Sequence, residues 1–440
     1  MSDGAPVRSR KWTRRRARAL LRHSGPTSIR FRTRLSFMGG AVLIGLVALI
    51  FAQAADLANH LFHRLVTAAP LLPLVLTPAM FALLAWASRR FAPYSGGSGI
   101  PQVIAAIRMP PASPLFSALL SLRSALLKCV LTVGGLLAGA SVGREGPTVQ
   151  ISAAILTAVH QALRVPVRSA TIIAGGAAGV AAAFNTPIAG VTFAIEELAS
   201  SYEQRTTLLI MAAVIISGMV ALGLAGDYLY FGLVTERLPF AMAIVAIPLA
   251  GVFGGLTGGL FSRLLLGWNF ADRPWLRWLR ARPVRAALVC GIVVALVGYG
   301  SGMSWGTGYE PARAAITGED DMPLWFGAVK FLSTLATAVS GIPGGIFAPS
   351  LATGAGLGNM LHAGLPDMPE GPIILLGMVA YFTGVVRAPL TAVIVITETT
   401  ASRGLLLPLL ATAIIADAVA GLVCRERLYH GLAHKFAKAG

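Results

Sequence analysis

Charge is what this sequence has least of. Only 12% of its 440 residues are Asp, Glu, Lys or Arg, about half the share of an ordinary soluble domain. Hydrophobic residues make up 55%, and the mean hydropathy is +0.73. A water-soluble fold of this length has too little interior to hide that much apolar surface. Cysteine is scarce too. Cys129, Cys290 and Cys424 stand far apart in the chain; an odd number without metal-ligand spacing argues against a disulfide framework and a zinc site. The seven histidines show no ligand spacing. There is no P-loop, no Ser-His-Asp set and no pair of catalytic carboxylates, so neither an enzyme nor a resident cofactor or metal is expected. The N-terminus lacks the short apolar core and small-residue cleavage site of a signal peptide.

The charge that is present is one-sided: 36 Lys and Arg against 18 Asp and Glu, a net +18. Such an excess suggests nucleic acid at first sight, but its placement argues otherwise. It collects in Arg8–Arg34, Arg263–Arg285 and Arg425–Lys438, segments that flank long apolar stretches. That is the pattern of cytoplasmic segments under the positive-inside rule. No basic fold interleaved with aromatics remains once the apolar segments are removed, so no nucleic-acid partner is expected. Residues 11–22 read as a basic interfacial helix, with a basic tail as the alternative.

Apolar stretches run over 37–58, 67–87, 115–140, 148–163, 169–200, 206–234, 240–268, 285–300, 324–341, 346–363, 371–400 and 404–423. Some reach the roughly 20 helical residues that span a hydrocarbon core; others are too short or are cut by Gly and Pro. With 49 glycines and 26 prolines, broken and tilted helices are expected rather than simple spans. Irregular backbone at membrane depth survives only inside protein or beside a water-filled cavity, so the interruptions mark a pathway. An internal repeat organises them. The register that lays Lys128 on Lys330 also lays Thr132 on Thr334, Gly143 on Gly345, Pro147 on Pro349, Pro187 on Pro389 and Glu196 on Glu398. A second register lays Gly97-Ser98-Gly99 on Gly306-Thr307-Gly308. Repeats with interrupted segments at matching places point to a transporter's binding site. The chain therefore reads as an all-α polytopic membrane protein with four parts: 1–34, a basic cytoplasmic segment; 35–235 and 236–424, two repeated membrane halves; and 425–440, a cytoplasmic tail.

Three motifs share one design. Gly97-Ser98-Gly99-Ile100-Pro101, Gly143-Arg144-Glu145-Gly146-Pro147 and Gly344-Gly345-Ile346-Phe347-Ala348-Pro349 each place a glycine stretch before a helix start with Pro in its first turn, where the missing N–H costs nothing. Free amides and the helix dipole there attract an anion without a full positive charge. An ion held that way can also leave. Glu145 is an acid in an apolar segment, a costly placement that signals function. At a helix start its carboxylate can take the place of an anion, and protonation would release that place. An ordinary carboxylate paired with Arg144 is the alternative. Lys128 reads as a buried lysine paired with an acid, because Lys330 repeats it; tuning of the anion's electrostatics is the alternative. Arg387 reads as structural or cytoplasmic.

In this order and spacing, the three motifs resemble the pore signatures of the CLC chloride channel and transporter family. The resemblance covers about residues 35–435, and Tyr429, after the last apolar segment, completes the set. It implies inverted halves and a homodimer with one pore per subunit, packed in part through faces such as 206–226. The compact prokaryotic type is implied, with both termini cytoplasmic in a bacterial inner membrane. The implied partners are chloride, protons and lipid. Ser98 and Tyr429 would donate hydroxyls to a central chloride, with Gly99 in the same loop and the amides of Ile346 and Phe347 completing the site. Arg144, Glu145 and Gly146 would form the outer anion position, and Glu145 would gate it. Glu197 would receive the proton on the inner side, which favours an exchanger over a passive channel of the same family. Glu196, repeated as Glu398, would be structural. Ser98 and Tyr429 also speak against the fluoride-exchanging branch. A basic membrane-anchored nucleic-acid or scaffold protein is the remaining reading from another class.

Overall fold

The computed structural model describes residues 26–199, 204–226, 229–319 and 322–437. The interfacial helix expected at 11–22 lies outside the described residues. The order is α1 (Pro26–Ala68), α2 (Pro73–Phe91), α3 (Ile100–Ile107), α4 (Pro114–Leu119), α5 (Leu122–Leu136), α6 (Glu145–Ala162), α7 (Ser169–Phe184), α8 (Pro187–Phe193), a π-helical turn (Ala194–Leu198), α9 (Gln204–Ala225), α10 (Phe240–Phe270), α11 (Pro274–Arg280), α12 (Pro283–Ser301), α13 (Tyr309–Thr317), α14 (Phe326–Ser340), α15 (Phe347–Ala363), α16 (Glu370–Val386), α17 (Pro389–Thr400), a 3₁₀ turn (Arg403–Leu405), α18 (Leu406–Val423) and α19 (Leu428–Ala437). Among the described residues, six segments are long and apolar enough to cross a membrane: Ile29–Ala68, Pro114–Leu136, Thr207–Ala225, Phe240–Phe270, Pro283–Ser301 and Arg403–Val423. The fold is all-helical and multi-span.

Those long helices form the outer wall, and many of their leucines face outward. Leu208 is 75% exposed, Leu407 75% and Leu422 86%, as lipid-facing positions require. The interior belongs to shorter helices. In α16 every residue from Gly371 to Val386 is buried, and in α7 every residue from Thr171 to Phe184. A helix apolar on all sides is stable only with protein around it. α7 packs along α6, and α16 along α15, so the two inner pairs occupy corresponding places in the repeat.

The repeat holds down to backbone detail. α7 and α16 both end in a left-handed residue, Asn185 (φ 59°) and Arg387 (φ 64°), and both are followed within two residues by the proline that opens the next helix. Gly143 and Gly345 exchange both backbone hydrogen bonds, each 2.8 Å. Two equivalent residues pairing with each other is what a local two-fold produces. Glu398 accepts from the amides of Ile188 (3.2 Å) and Ala189 (2.7 Å). Reciprocally, Glu196 accepts from the amides of Leu390 (3.1 Å) and Thr391 (2.8 Å) and from the Thr391 hydroxyl (2.8 Å). Each carboxylate thus satisfies helix-start amides that have no partner in their own helix. The reading of Glu196 as structural agrees with this clasp.

Removing one clasp strands two or three donors at about 1–3 kcal/mol. Glu398→Ala and Glu196→Ala should both lower the thermal unfolding midpoint in detergent. Glu196→Ala should lower it more, because Glu196 holds the extra hydroxyl. The reverse order would contradict this account.

Candidate anion site and proton route

The three glycine motifs meet at the centre. The Gly97 N–H donates to Ile342 O and the Gly344 N–H to Gly97 O, both at 3.2 Å, which ties the first loop to the third. The Gly143–Gly345 pair ties the second to the third. The expected helix starts follow: Pro101, Pro147 and Pro349 all lie in the first turn of α3, α6 and α15. Two glycines are required by close approach. A side chain at Gly146 would strike the Ser98 hydroxyl and, at 2.9 Å, its carbonyl. Gly99 adopts φ 111°, and a Cβ there would stand 2.7 Å from Gly146 O.

Ser98, Glu145, Glu197 and Tyr429 are all buried. The Ser98 Oγ, the Tyr429 hydroxyl and all four carboxylate oxygens have no hydrogen bond of full geometry. Buried polar atoms are nearly always satisfied, so a cluster of unsatisfied ones calls for a ligand or a moving proton. The Tyr429 hydroxyl points towards Ser98 and lies within electrostatic reach of both Glu145 and Glu197. Its ring stacks on Phe347 at 7° between planes, with centroids 6.4 Å apart. Phe184, Phe193 and Phe382 pack round the same Phe347 ring. The first-turn amides of α15, those of Ile346 and Phe347 among them, have no partner within the helix. The Glu145 side chain folds back over Gly143, where an added Cβ would clash with Oε2, and lies towards the Ala348 amide.

A cavity of about 390 Å³ leads to this centre. It runs from the exposed Arg89 and Lys435 to the buried Ser98, Ile346 and Tyr429. Cations at the mouth raise the local anion concentration. Glu197 stands on the same side of the molecule, in the π-helical turn next to α19.

One expectation needs correction. Among the described residues, no acid pairs with Lys128. Its Nζ donates to Ser95 O (2.8 Å) and Gly97 O (3.0 Å). Lys330 does the same in the other repeat, to Ser304 O (3.0 Å), Trp305 O (3.4 Å) and Gly306 O (2.7 Å). Converging carbonyls of an irregular loop supply the negative potential, and residue types alone do not disclose them. Arg144, the alternative partner of Glu145, makes its ion pair elsewhere. Its guanidinium binds Asp56 (2.6 Å) and Ala52 O (2.8 Å) and lies 5.8 Å from the Tyr230 ring centre. Arg387 is structural as expected: it bonds Asp417 at 2.7 Å and Cys424 O at 3.2 Å.

Residues 79–421 match the family model of the voltage gated chloride channel. The chain belongs to the CLC family. Among CLC relatives, it is 31% identical over 433 residues to the H(+)/Cl(-) exchange transporter ClcA of Vibrio parahaemolyticus serotype O3:K6, covering 90% of this chain and 89% of that one. It is 32% identical over 420 residues to ClcA of Cronobacter sakazakii, covering 88% and 86%. Among solved CLC structures it superposes on a slow cyanobacterial Cl⁻/H⁺ antiporter with TM-score 0.77, 25% identity and 92% and 98% coverage. A CLC-type fluoride/proton antiporter superposes with TM-score 0.76 at 21% identity, covering 91% and 98%, and shows the fold alone. As a member of the CLC family this is a multi-pass integral membrane protein and not an enzyme.

Proposed function

We propose that this chain exchanges chloride for protons across a bacterial plasma membrane. One observation carries the reading: the Ser98 and Tyr429 hydroxyls and the Glu145 and Glu197 carboxylates are buried together without a hydrogen bond of full geometry. Chloride reaches the centre through the cavity at Arg89 and Lys435. There it takes hydroxyl donors from Ser98 and Tyr429 and amides from Ile346 and Phe347, with Gly99 shaping the loop. Its outer position lies at the Arg144-Glu145-Gly146 turn. There Arg144 acts through the backbone turn, since its side chain is held by Asp56. Ionised, the Glu145 carboxylate fills the outer position as an anion would. Protonated, it loses the charge that holds it there and carries a proton outward. Glu197 supplies that proton from the inner side.

Residues 35–235 and 236–424 act as the two halves of one pathway, and both termini face the cytoplasm. Two copies pair as a homodimer through outward apolar faces such as 206–226, each with its own pore. Chloride fits the paired hydroxyls as a weak-field ligand, and the curated relatives are named for it.

The test is paired flux. In liposomes with a chloride gradient, chloride movement should drive protons the opposite way. Chloride flux without protons would mean a passive channel; fluoride flux in place of chloride would overturn the anion assignment. Tyr429→Ala should weaken chloride binding about tenfold or more, the scale of one hydrogen bond to a charged group. Titration calorimetry on solubilised protein reads this directly, and unchanged affinity would remove Tyr429 from the site.

A further inference from the structure

The Glu197 side chain has no solvent exposure at all, while the imidazole of His430 beside it is 27% exposed. A buried inner acceptor needs a group that reaches water, and His430 is placed as one. Its Nε2 lies 3.7 Å from Glu197 Oε1, and the same ring faces the backbone carbonyl of Glu197. A small ring movement closes that gap to hydrogen-bond range. On the other edge, Arg108 lies 2.7 Å from Nδ1. An arginine only donates, so Nδ1 accepts, and the neutral ring carries its hydrogen on Nε2, the edge that faces Glu197.

We propose that His430 is the proton-carrying group between the aqueous side of α19 and the carboxyl of Glu197. This rests on the reading of Glu197 as the inner proton acceptor. A proton from water adds to Nδ1 as the Arg108 side chain, which is exposed, swings aside. The N–H bond at Nε2 then breaks as an O–H bond forms at Glu197. The ring left with its hydrogen on Nδ1 exchanges with water to regain the first tautomer. The net change is one proton moved from water to Glu197, with no change in the ring.

The groups acting on the ring are Arg108, Arg427, His434 and Glu197, with Glu426 bound to His434 at 3.1 Å. Of the other helices packed on α19, α10 carries Arg263, which acts on Cys424, and α16 carries Glu370 and the buried Tyr381. Burial first, then Arg108 and Arg427, hold the imidazole below the usual histidine range. The ring is therefore neutral near pH 7, takes protons as the inner pH falls and gives them up readily.

The experiment measures proton and chloride flux in liposomes for wild type, Glu197→Gln, His430→Gln and Arg108→Gln. His430→Gln should slow proton flux about tenfold, a modest share of what a positioned acid–base group contributes. Chloride flux should stay within about twofold, which also shows that the variant is folded. Imidazole added on the inner side should restore proton flux, as it would not for a merely structural residue. Arg108→Gln leaves the ring in place and removes a repelling charge. It should move the inner-pH midpoint of proton flux upward by about one unit. Unchanged proton flux in His430→Gln, absence of imidazole rescue, or an unmoved midpoint in Arg108→Gln would each overturn the proposal. If Glu197→Gln abolishes coupling while His430→Gln leaves proton flux unchanged, only the His430 proposal fails. If Glu197→Gln itself stays coupled, the inner route fails with it.

Discussion

Glu145→Gln is expected to stop proton transport while chloride still crosses. Glutamine keeps the shape of the side chain and its reach over Gly143, so the helix start and the Gly143–Gly345 pairing stay intact. It cannot bind or release a proton at any pH near neutral, and it cannot stand in for an anion. Proton flux should therefore fall by at least about a hundredfold, the lower range for loss of a proton-transfer group. The variant's chloride flux should also lose its dependence on outer pH, because that dependence comes from protonating this one carboxylate. A variant that still pumps protons against a chloride gradient would place the outer transfer elsewhere. One that moves neither ion would mark Glu145 as structural.

Glu197→Gln should uncouple the exchange from the inner side. Its chloride path is untouched, since Ser98, Tyr429 and the α15 amides remain. Proton flux should again fall by about a hundredfold or more, but with one difference. Glu145 is still present and titrates, so chloride flux should keep its response to outer pH. The two variants thus separate gate from relay: both lose protons, and only Glu145→Gln loses the pH response. An equal loss of chloride flux in Glu197→Gln would show that the π-helical turn Ala194–Leu198 holds the pore's shape rather than a proton.

Much of this was legible in the sequence. The three Pro-led helix starts follow from local rules, since Pro after Gly in an apolar run has few other uses. The repeat followed from matched Lys and Glu, which are rare enough in such composition to be informative. The clasp of Glu196 and Glu398 was foreshadowed by their equivalence. What stayed hidden depends on partners that residue types do not announce. Lys128 and Lys330 answer to backbone carbonyls. Arg144 finds Asp56 across 88 residues, in a helix that shares no motif with it. His430 stands next to the pore tyrosine in sequence, yet nothing in its neighbours' identities tells that its ring meets Glu197. The adjacency was the available signal, and only the docking of α19 gives it meaning.

The reciprocal clasp has a consequence for ancestry. Glu196 grips the start of α17, and Glu398 grips the start of α8, each supplying what the other repeat needs. A single half of this design carries both a gripping acid and a start to be gripped. It is therefore complementary to a copy of itself, in the manner of an isologous dimer. Such a half could assemble as a twin before the two were joined into one chain. Joined in one chain, the two repeats are free to differ at the centre, where Phe347 takes the place that Glu145 holds in the other half.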